Sequence, residues 1–288
     1  MKALVFSAGG ARVAFSTGVI KYLLGDLQRH YDIITGVSAG AILAAFLGQY
    51  SLGKEKQAAT DLVNLWKNLT TANIYRNWKP FGKLQGLCKQ GIVDNSPLIT
   101  LMRSNISLKK IRASGKHICV GAISMTSGKY TVFDQTSDDF IDAVIASTSF
   151  PAILPPVKIG DEYWSDGGIK VFTPTKAAIK LGADEIDIVM ASPETRDKLF
   201  IGKPSIIDIL KRSFDFSTDK IMSNDAEYIQ MYNRLAEAGL CDKRIIALNT
   251  IRPPTNLLKD SFKLDPEQTK TLIDIGYKIA KAQFEGIQ

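Results

Sequence analysis

The chain has 288 residues, 45% of them hydrophobic and 23% charged, with a formal net charge of +7. This composition excludes a disordered chain and leaves room for one large α/β domain or two small ones. No run of 18 apolar residues exists, so no transmembrane helix is expected. The basic balance fits an anionic membrane surface, or simple solubility, better than nucleic acid, because neither zinc-ligand spacing nor an aromatic–basic binding signature occurs.

In chain order, Leu4-Val5-Phe6 reads as a short strand and Ser7-Ala8-Gly9-Gly10-Ala11-Arg12 as a glycine-rich turn. A helix follows, with Val13, Gly18-Val19-Ile20, Leu23-Leu24 and Leu27 on its apolar stripe. Glycines at such a helix start let backbone N–H groups point at an anion. A dinucleotide site fails on spacing: Gly9 and Gly10 are adjacent, and Asp32, the acid near the right distance, precedes the second strand. A phosphate loop fails because G-K-[ST] is absent. An oxyanion hole fits better, since the next loop carries a candidate nucleophile. Ile33-Ile34 leads into Gly36-Val37-Ser38-Ala39-Gly40, and the apolar helical run Ala41 to Leu47 follows. Strand, G-x-S-x-G turn and helix together predict a nucleophile elbow with Ser38 at its apex.

A catalytic serine needs a base and oxyanion donors. The chain has 2 histidines. His30 lies in a polar helix end and reads as exposed or capping. His117 opens the apolar run Ile118 to Ile123 and reads as a structural strand-edge residue. A carboxylate remains. Asp166 ends the short aromatic strand Glu162 to Ser165 and precedes Gly167 and Gly168. A plain Asp-Gly hairpin turn competes with a catalytic reading there. The small, proline-stiffened stretch Ala146 to Pro156 reads as a wall that fixes this strand.

Between these motifs, residues 54–105 break the β-α alternation and read as an inserted helical cap. Lys54 to Asn68 is amphipathic, with Ala58, Leu62, Leu65 and Trp66 on one side. Trp78-Lys79-Pro80-Phe81 and Leu84 to Lys89 interleave aromatic, apolar and basic residues, which suits peripheral contact with a membrane or a cap packed on the core. Tyr130 to Phe133 should form a hairpin with 118–125 through Thr126 to Lys129, and 138–148 a helix. Ile186 to Met190 reads as a buried strand, Ser205 to Leu235 as a long helical region, Arg244 to Leu248 as a last strand and Pro266 to Phe284 as an amphipathic helix. Residues 191–204 and 250–265 read as polar surface loops. The alternation predicts a single α/β domain over 1–288. Cys88, Cys119 and Cys241 are odd in number and lack metal spacing, so a reducing compartment is expected and no metal or other cofactor. One lysine and four apolar residues make too short a signal peptide, so a cytoplasmic location is expected, compatible with peripheral membrane contact or delivery to a host.

Ala8-Gly9-Gly10-Ala11-Arg12-Val13, Gly36 to Gly40 and Asp166-Gly167-Gly168, in this order, resemble the patatin-like phospholipase family. Ala146 to Pro156 and Gly91 to Leu98 extend the resemblance, which spans residues 1 to about 180. It implies a three-layer α/β fold with a mostly parallel central sheet flanked by helices and a helical cap insertion. It also implies a histidine-free dyad, Ser38 as nucleophile and Asp166 as general base. The oxyanion donors would be the N–H groups of Gly9, Gly10 and Ala11. Arg12 matches the family's basic position, and Gly36, Gly40, Gly167 and Gly168 support the two turns. The family's loop usually carries glycine where this chain has Ala8 and Val13. The implied activity is phospholipase A-type hydrolysis of a membrane phospholipid or other acyl ester, through an acyl-enzyme. A phospholipase effector switched on by a ligand or host factor is one alternative. A non-catalytic anion- or nucleotide-binding α/β protein is another.

Overall fold

Short apolar segments bounded by turn residues line up into one sheet in the computed structural model, which describes residues 1–86, 88–193, 209, 229–231, 233–240, 246–258 and 260–286. The strands are β1 Lys2–Phe6, β2 Ile33–Val37, β3 His117–Ser124, β4 Tyr130–Asp134, β5 Val157–Ile159, β6 Glu162–Asp166, β7 Glu185–Val189 and β8 Ala247–Ile251. Their order is β5-β6-β3-β2-β1-β7-β8, with β4 also paired to β3. The run from β3 to β8 is parallel, whereas β4, β5 and β6 add antiparallel pairings. The helices are α1 Ala14–Ile20, α2 Ala39–Leu47, α3 Glu55–Lys67, α4 Lys83–Gly86, α5 Ser96–Asn105, α6 Leu108–Ala113, α7 Phe140–Thr148, α8 Thr175–Lys180 and α9 Pro266–Glu285.

Period-two alternation along the central strands sends side chains into two cores. Leu4, Phe6 and Ile34 join the larger one with residues of α1, α2, α3, α7 and α9. Ala3, Val5, Ile33 and Val37 join the smaller one with Ala178, Ile186 and Ile188. Helices therefore flank a mostly parallel sheet, as parallel strands require on both faces.

The first and last helices meet backbone to backbone. A Cβ built on Gly18 would lie 1.9 Å from the Ile273 carbonyl oxygen, and one on Gly276 would lie 2.0 Å from that of Phe15. The α9 start was readable because Asp265 accepts from the Glu267 and Gln268 N–H groups at 3.1 and 2.9 Å ahead of Pro266. Beyond α1 the chain widens into a π-helical turn, Lys21–Asp26.

Several expected elements stand where the pattern put them, including the β3–β4 hairpin and α7. The last strand runs over Ala247–Ile251, set by its register on β7, and Arg244, where it was expected to begin, lies outside the described residues. The helical region expected over 205–235 lies largely outside the described residues. The β5–β6 hairpin, turned by Gly160 at φ 59° and Asp161, was not anticipated. Segment 54–105 divides. Ala58, Ala59, Leu62, Trp66, Leu98 and Met102 pack α3 and α5 into the larger core, while the stretch around 79–84 projects from the surface.

Adding a methyl group at the α1–α9 crossing forces the two helices apart. Gly276→Ala is expected to destabilise the protein by about 1–3 kcal/mol, as overpacking does. Thermal melts would show this as a lowered Tm, and an unchanged Tm would rule out the close crossing.

Candidate active site

The site forms where two strands run toward each other along β3. Strand β2 runs parallel to β3 and ends with Val37 paired to Gly121. Strand β6 runs antiparallel and ends with Asp166 paired to Ala122, the next residue. Residues 128 positions apart are thereby delivered to one point, and the Ser38 hydroxyl donates to Asp166 Oδ2 at 2.6 Å.

Ser38 sits at φ 57°, ψ −134°, between the end of β2 and the start of α2. For a residue with a Cβ this conformation costs on the order of 1–3 kcal/mol and needs support from its surroundings. The elbow glycines make the sharp turn possible. A Cβ on Gly36 would lie 2.2 Å from the Gly40 oxygen, and one on Gly40 would lie 2.5 Å from the Ser7 oxygen. The Ser38 carbonyl accepts the first helical bond, from Ala41 N–H at 2.9 Å. The Ser38 hydroxyl, committed to Asp166, does not cap the helix. Its position at the N-terminus of α2 favours negative charge developing there.

Asp166 is 4% exposed and Ser38 8%. The second carboxylate oxygen, Oδ1, accepts from Gly168 N–H at 2.8 Å, and the Asp166 N–H donates to the Ser149 carbonyl at 3.0 Å. Burial pushes the Asp166 carboxyl up to about 7, overcoming the hydrogen bonds from Ser38 and Gly168 that pull it down. The Asp-Gly pair is no hairpin turn. Gly167–Ile169 form a 3₁₀ turn capped by Asp166, and a Cβ on Gly167 would lie 2.4 Å from the Gly121 oxygen.

The glycine-rich loop follows β1, the parallel neighbour of β2, and so lies beside the elbow. Its Ala8 methyl would be 3.0 Å from a Cβ built on Gly168, which sets the loop against the Asp166 turn. Gly10 needs its freedom, at φ 55°. Val13 takes an ordinary helical φ of −63° and Ala8 has no positive φ, so neither glycine replacement strains the loop. Of the expected donors, the Ala11 N–H is already engaged by the Ser261 carbonyl at 2.8 Å. Among the described residues, the Gly9 and Gly10 N–H groups have no acceptor. Arg12 is half-buried at the end of the 3₁₀ turn Gly10–Val13.

Neither histidine approaches the site. His30 is exposed, and the exposed His117 pairs with Ile33 at the far end of the ladder from Val37. Sequence reasoning missed three contributors. Ser147 accepts from Ser38 N–H at 2.9 Å. The Ser149 carbonyl holds Asp166. Ser261 reaches the loop from a segment read only as a polar surface loop. That segment is held by an edge-on ring contact between Phe150 and Phe262 and by the Tyr75 hydroxyl, which donates to the Phe262 carbonyl at 3.0 Å. Ser147 and Ser149 lay in the stretch read as a wall, but nothing local marks their partners.

A family model described as patatin-like phospholipase matches residues 4–179. A probable lipid hydrolase, 463L, of Invertebrate iridescent virus 6 is 24% identical over 192 residues, covering 62% of this chain and 63% of that protein. A cGAMP-activated phospholipase of Escherichia coli strain TW11681 is 25% identical over 198 residues, covering 61% of this chain and 54% of its own length. The chain thus aligns with less than two thirds of each of these relatives. Among solved structures, VipD from Legionella pneumophila superposes with a TM-score of 0.45 at 14% identity, covering 99% of this chain and 67% of that one.

The buried carboxyl carries a thermodynamic signature. Its value in the folded state, about 7, lies above the ordinary 3.8. The folded state therefore holds the proton more tightly, and Asp166 contributes most stability below the ordinary value. That contribution is lost as pH rises through about 7. Asp166→Asn removes the buried charge, so it should raise Tm at pH ~8, by up to about 4 kcal/mol in stability. The advantage should shrink toward pH ~4. Melts of both proteins across this range check it; an equal difference at both ends contradicts the assigned burial cost.

Proposed function

Because the chain belongs to the patatin-like phospholipase family, we propose that it is a lipid acyl hydrolase working through Ser38 and Asp166. The observation that carries the reading is the 2.6 Å hydrogen bond between the Ser38 hydroxyl and Asp166 Oδ2, both buried. As Ser38 Oγ attacks an ester carbonyl, its proton passes to Asp166. The tetrahedral oxyanion is held by the Gly9 and Gly10 N–H groups, which have no acceptor among the described residues. Collapse expels the alcohol or lysolipid, which takes the proton from Asp166, and leaves an acyl-serine. Water then gives its proton to Asp166 and attacks the acyl carbonyl, and a fatty acid departs as Ser38 is reprotonated. A carboxyl near 7 suits both halves of this exchange.

Access to bilayer lipid is proposed through the projecting part of 54–105. Phe81 and Leu84 are 72% and 75% exposed, and exposed Lys79, Lys83 and Lys89 surround them. An apolar tip ringed by cations is complementary to an anionic lipid surface. Its base is tied to the wall that leads to Asp166: Trp78 Nε1 donates to the Gly91 carbonyl at 3.0 Å, and Ile92 and Val93 N–H donate to Ala152 and Ile153 at 3.0 and 3.1 Å.

Ser38→Ala and Asp166→Asn should each lower hydrolysis of a phospholipid or short-chain ester by about a thousandfold or more while the protein stays folded. The same assay on the native chain should rise with pH through about 7 as Asp166 ionises. A fluorophosphonate should label Ser38 covalently. Near-normal turnover in either variant rejects the dyad. Phe81→Ala combined with Leu84→Ala should weaken flotation with phosphatidylserine-containing vesicles about tenfold. Unchanged flotation removes the membrane contact.

A further inference from the structure

We propose that Ser147 is a positioning residue for the nucleophile, and that the C-terminal end of α7 brackets both members of the dyad. This rests on the Ser38–Asp166 reading above. The Ser147 hydroxyl is wholly buried and has one hydrogen to give, which goes to the Gly121 carbonyl at 2.6 Å. A lone pair therefore faces the Ser38 N–H, which it accepts at 2.9 Å. Gly121 is the residue of β3 that pairs with Val37, immediately before the residue that pairs with Asp166. Ser147 thus ties the elbow to the point on β3 where the two opposed strands stop. Two residues on, the Ser149 carbonyl accepts from Asp166 N–H at 3.0 Å and from the Ser165 hydroxyl. One helix end, braced by hydrogen bonds, sets the backbone of the hydroxyl donor and that of the carboxylate acceptor.

The strained φ of Ser38 makes this bond consequential. At φ 57° the chain leaves the β2 ladder at Ser38, and the Ser38 N–H finds its acceptor in Ser147. Without it, a buried N–H is orphaned and the elbow gains freedom to relax, lengthening the Ser38–Asp166 contact. Catalysis falls steeply with such misplacement, by about a hundredfold for an ångström in other sites. The loss has a direction in pH as well. The Ser38 hydroxyl is one of the donors that pull the Asp166 carboxyl down, so loosening it moves that carboxyl further up.

Ser147→Ala tests this, with Ser147→Cys as a near-isosteric second variant whose thiol is a weak acceptor. Thr148→Ala is the control: it removes a hydroxyl from the same helix end that bonds only the Ile145 carbonyl, at 2.7 Å. Steady-state kinetics on a soluble ester should show kcat down about tenfold to a hundredfold with KM retained in Ser147→Ala, a smaller loss in Ser147→Cys and none in Thr148→Ala. The acid limb of the kcat/KM profile should move to higher pH, and the rate of fluorophosphonate labelling should fall in step with kcat. Wild-type kcat in folded Ser147→Ala overturns the proposal. So does a loss explained wholly by a smaller titratable active fraction with the acid limb unmoved. If Ser147→Ala fails to fold, the same comparison is read from Ser147→Cys. Full turnover by Ser38→Ala, in contrast, would overturn the dyad reading itself and not the bracket alone.

Discussion

The arrangement that everything else serves is the head-on termination of β2 and β6 at adjacent residues of β3. Neither loop geometry nor side-chain reach alone could bring Ser38 and Asp166 to 2.6 Å, because 128 residues separate them. The β3 ladder does it through register: Gly121 stops one strand and Ala122 the other. A one-residue slip of either strand would turn its terminal side chain to the other face of the sheet. The fixed register explains why glycine accumulates at this junction. Gly36, Gly40 and Gly167 each lie where a Cβ would meet a backbone oxygen within 2.6 Å, so the three turns can nest only without side chains.

Two buried aspartates on this sheet stand in opposite environments. Asp187 on β7 has the Arg29 guanidinium at 3.1 Å, the Tyr31 hydroxyl at 2.5 Å and the Asn249 amide at 2.8 Å. A cation and two further donors thus satisfy its oxygens, as a buried carboxylate needs. Among the described residues, Asp166 has two donors, both neutral, the Ser38 hydroxyl and the Gly168 N–H, and burial wins over them. The protein tolerates that cost, and the strained serine beside it, because the surrounding layer is so completely filled. All of α2 is buried, and the α1–α9 crossing permits no side chain at its nearest points.

What could be read from the residues follows from how local each signal is. The elbow was legible because strand, glycine turn and apolar helix are contiguous and each leaves its own pattern. The start of α9 was legible for the same reason, in Asp265 and Pro266. Asp166 was half-legible: its Asp-Gly pair equally fits a hairpin turn, and only its pairing on β3 separates the two. The hairpin actually present turns at Gly160-Asp161, a few residues earlier. Ser147 and Ser261 were not legible as site neighbours, since each meets its partner only after the sheet has formed. Ser147 lies 109 residues from Ser38, and no periodicity reports on a lone hydroxyl facing a distant amide. Ala8 and Val13 stand where the family's loop usually carries glycine. Their backbone angles show that a glycine's freedom is required at Gly10 and at neither of those positions.

On the proposed reading, burial answers the problem that a missing histidine creates. An aspartate at its ordinary value would be a weak base toward a serine hydroxyl and would hold too briefly the proton that a departing alkoxide must receive. Raised to about 7, the same carboxyl accepts the proton more readily and still releases it within one turnover. A single side chain then does what a triad divides between an imidazole and its carboxylate. This requires that bulk water stay out when the carboxylate is charged, apart from the one molecule that hydrolyses the acyl-serine, since full hydration would return it to its ordinary value. The near-complete burial of both partners meets that requirement before any substrate arrives. It also means that an acyl chain must enter by displacing or threading past the groups that cover the dyad. The segment carrying Ser261 and Phe262 lies against the glycine loop, with a carbonyl on the Ala11 amide, a ring contact to Phe150 and a hydrogen bond from Tyr75. These contacts lie outside the strand pairings on β3, so the register that brings Ser38 and Asp166 together does not depend on them.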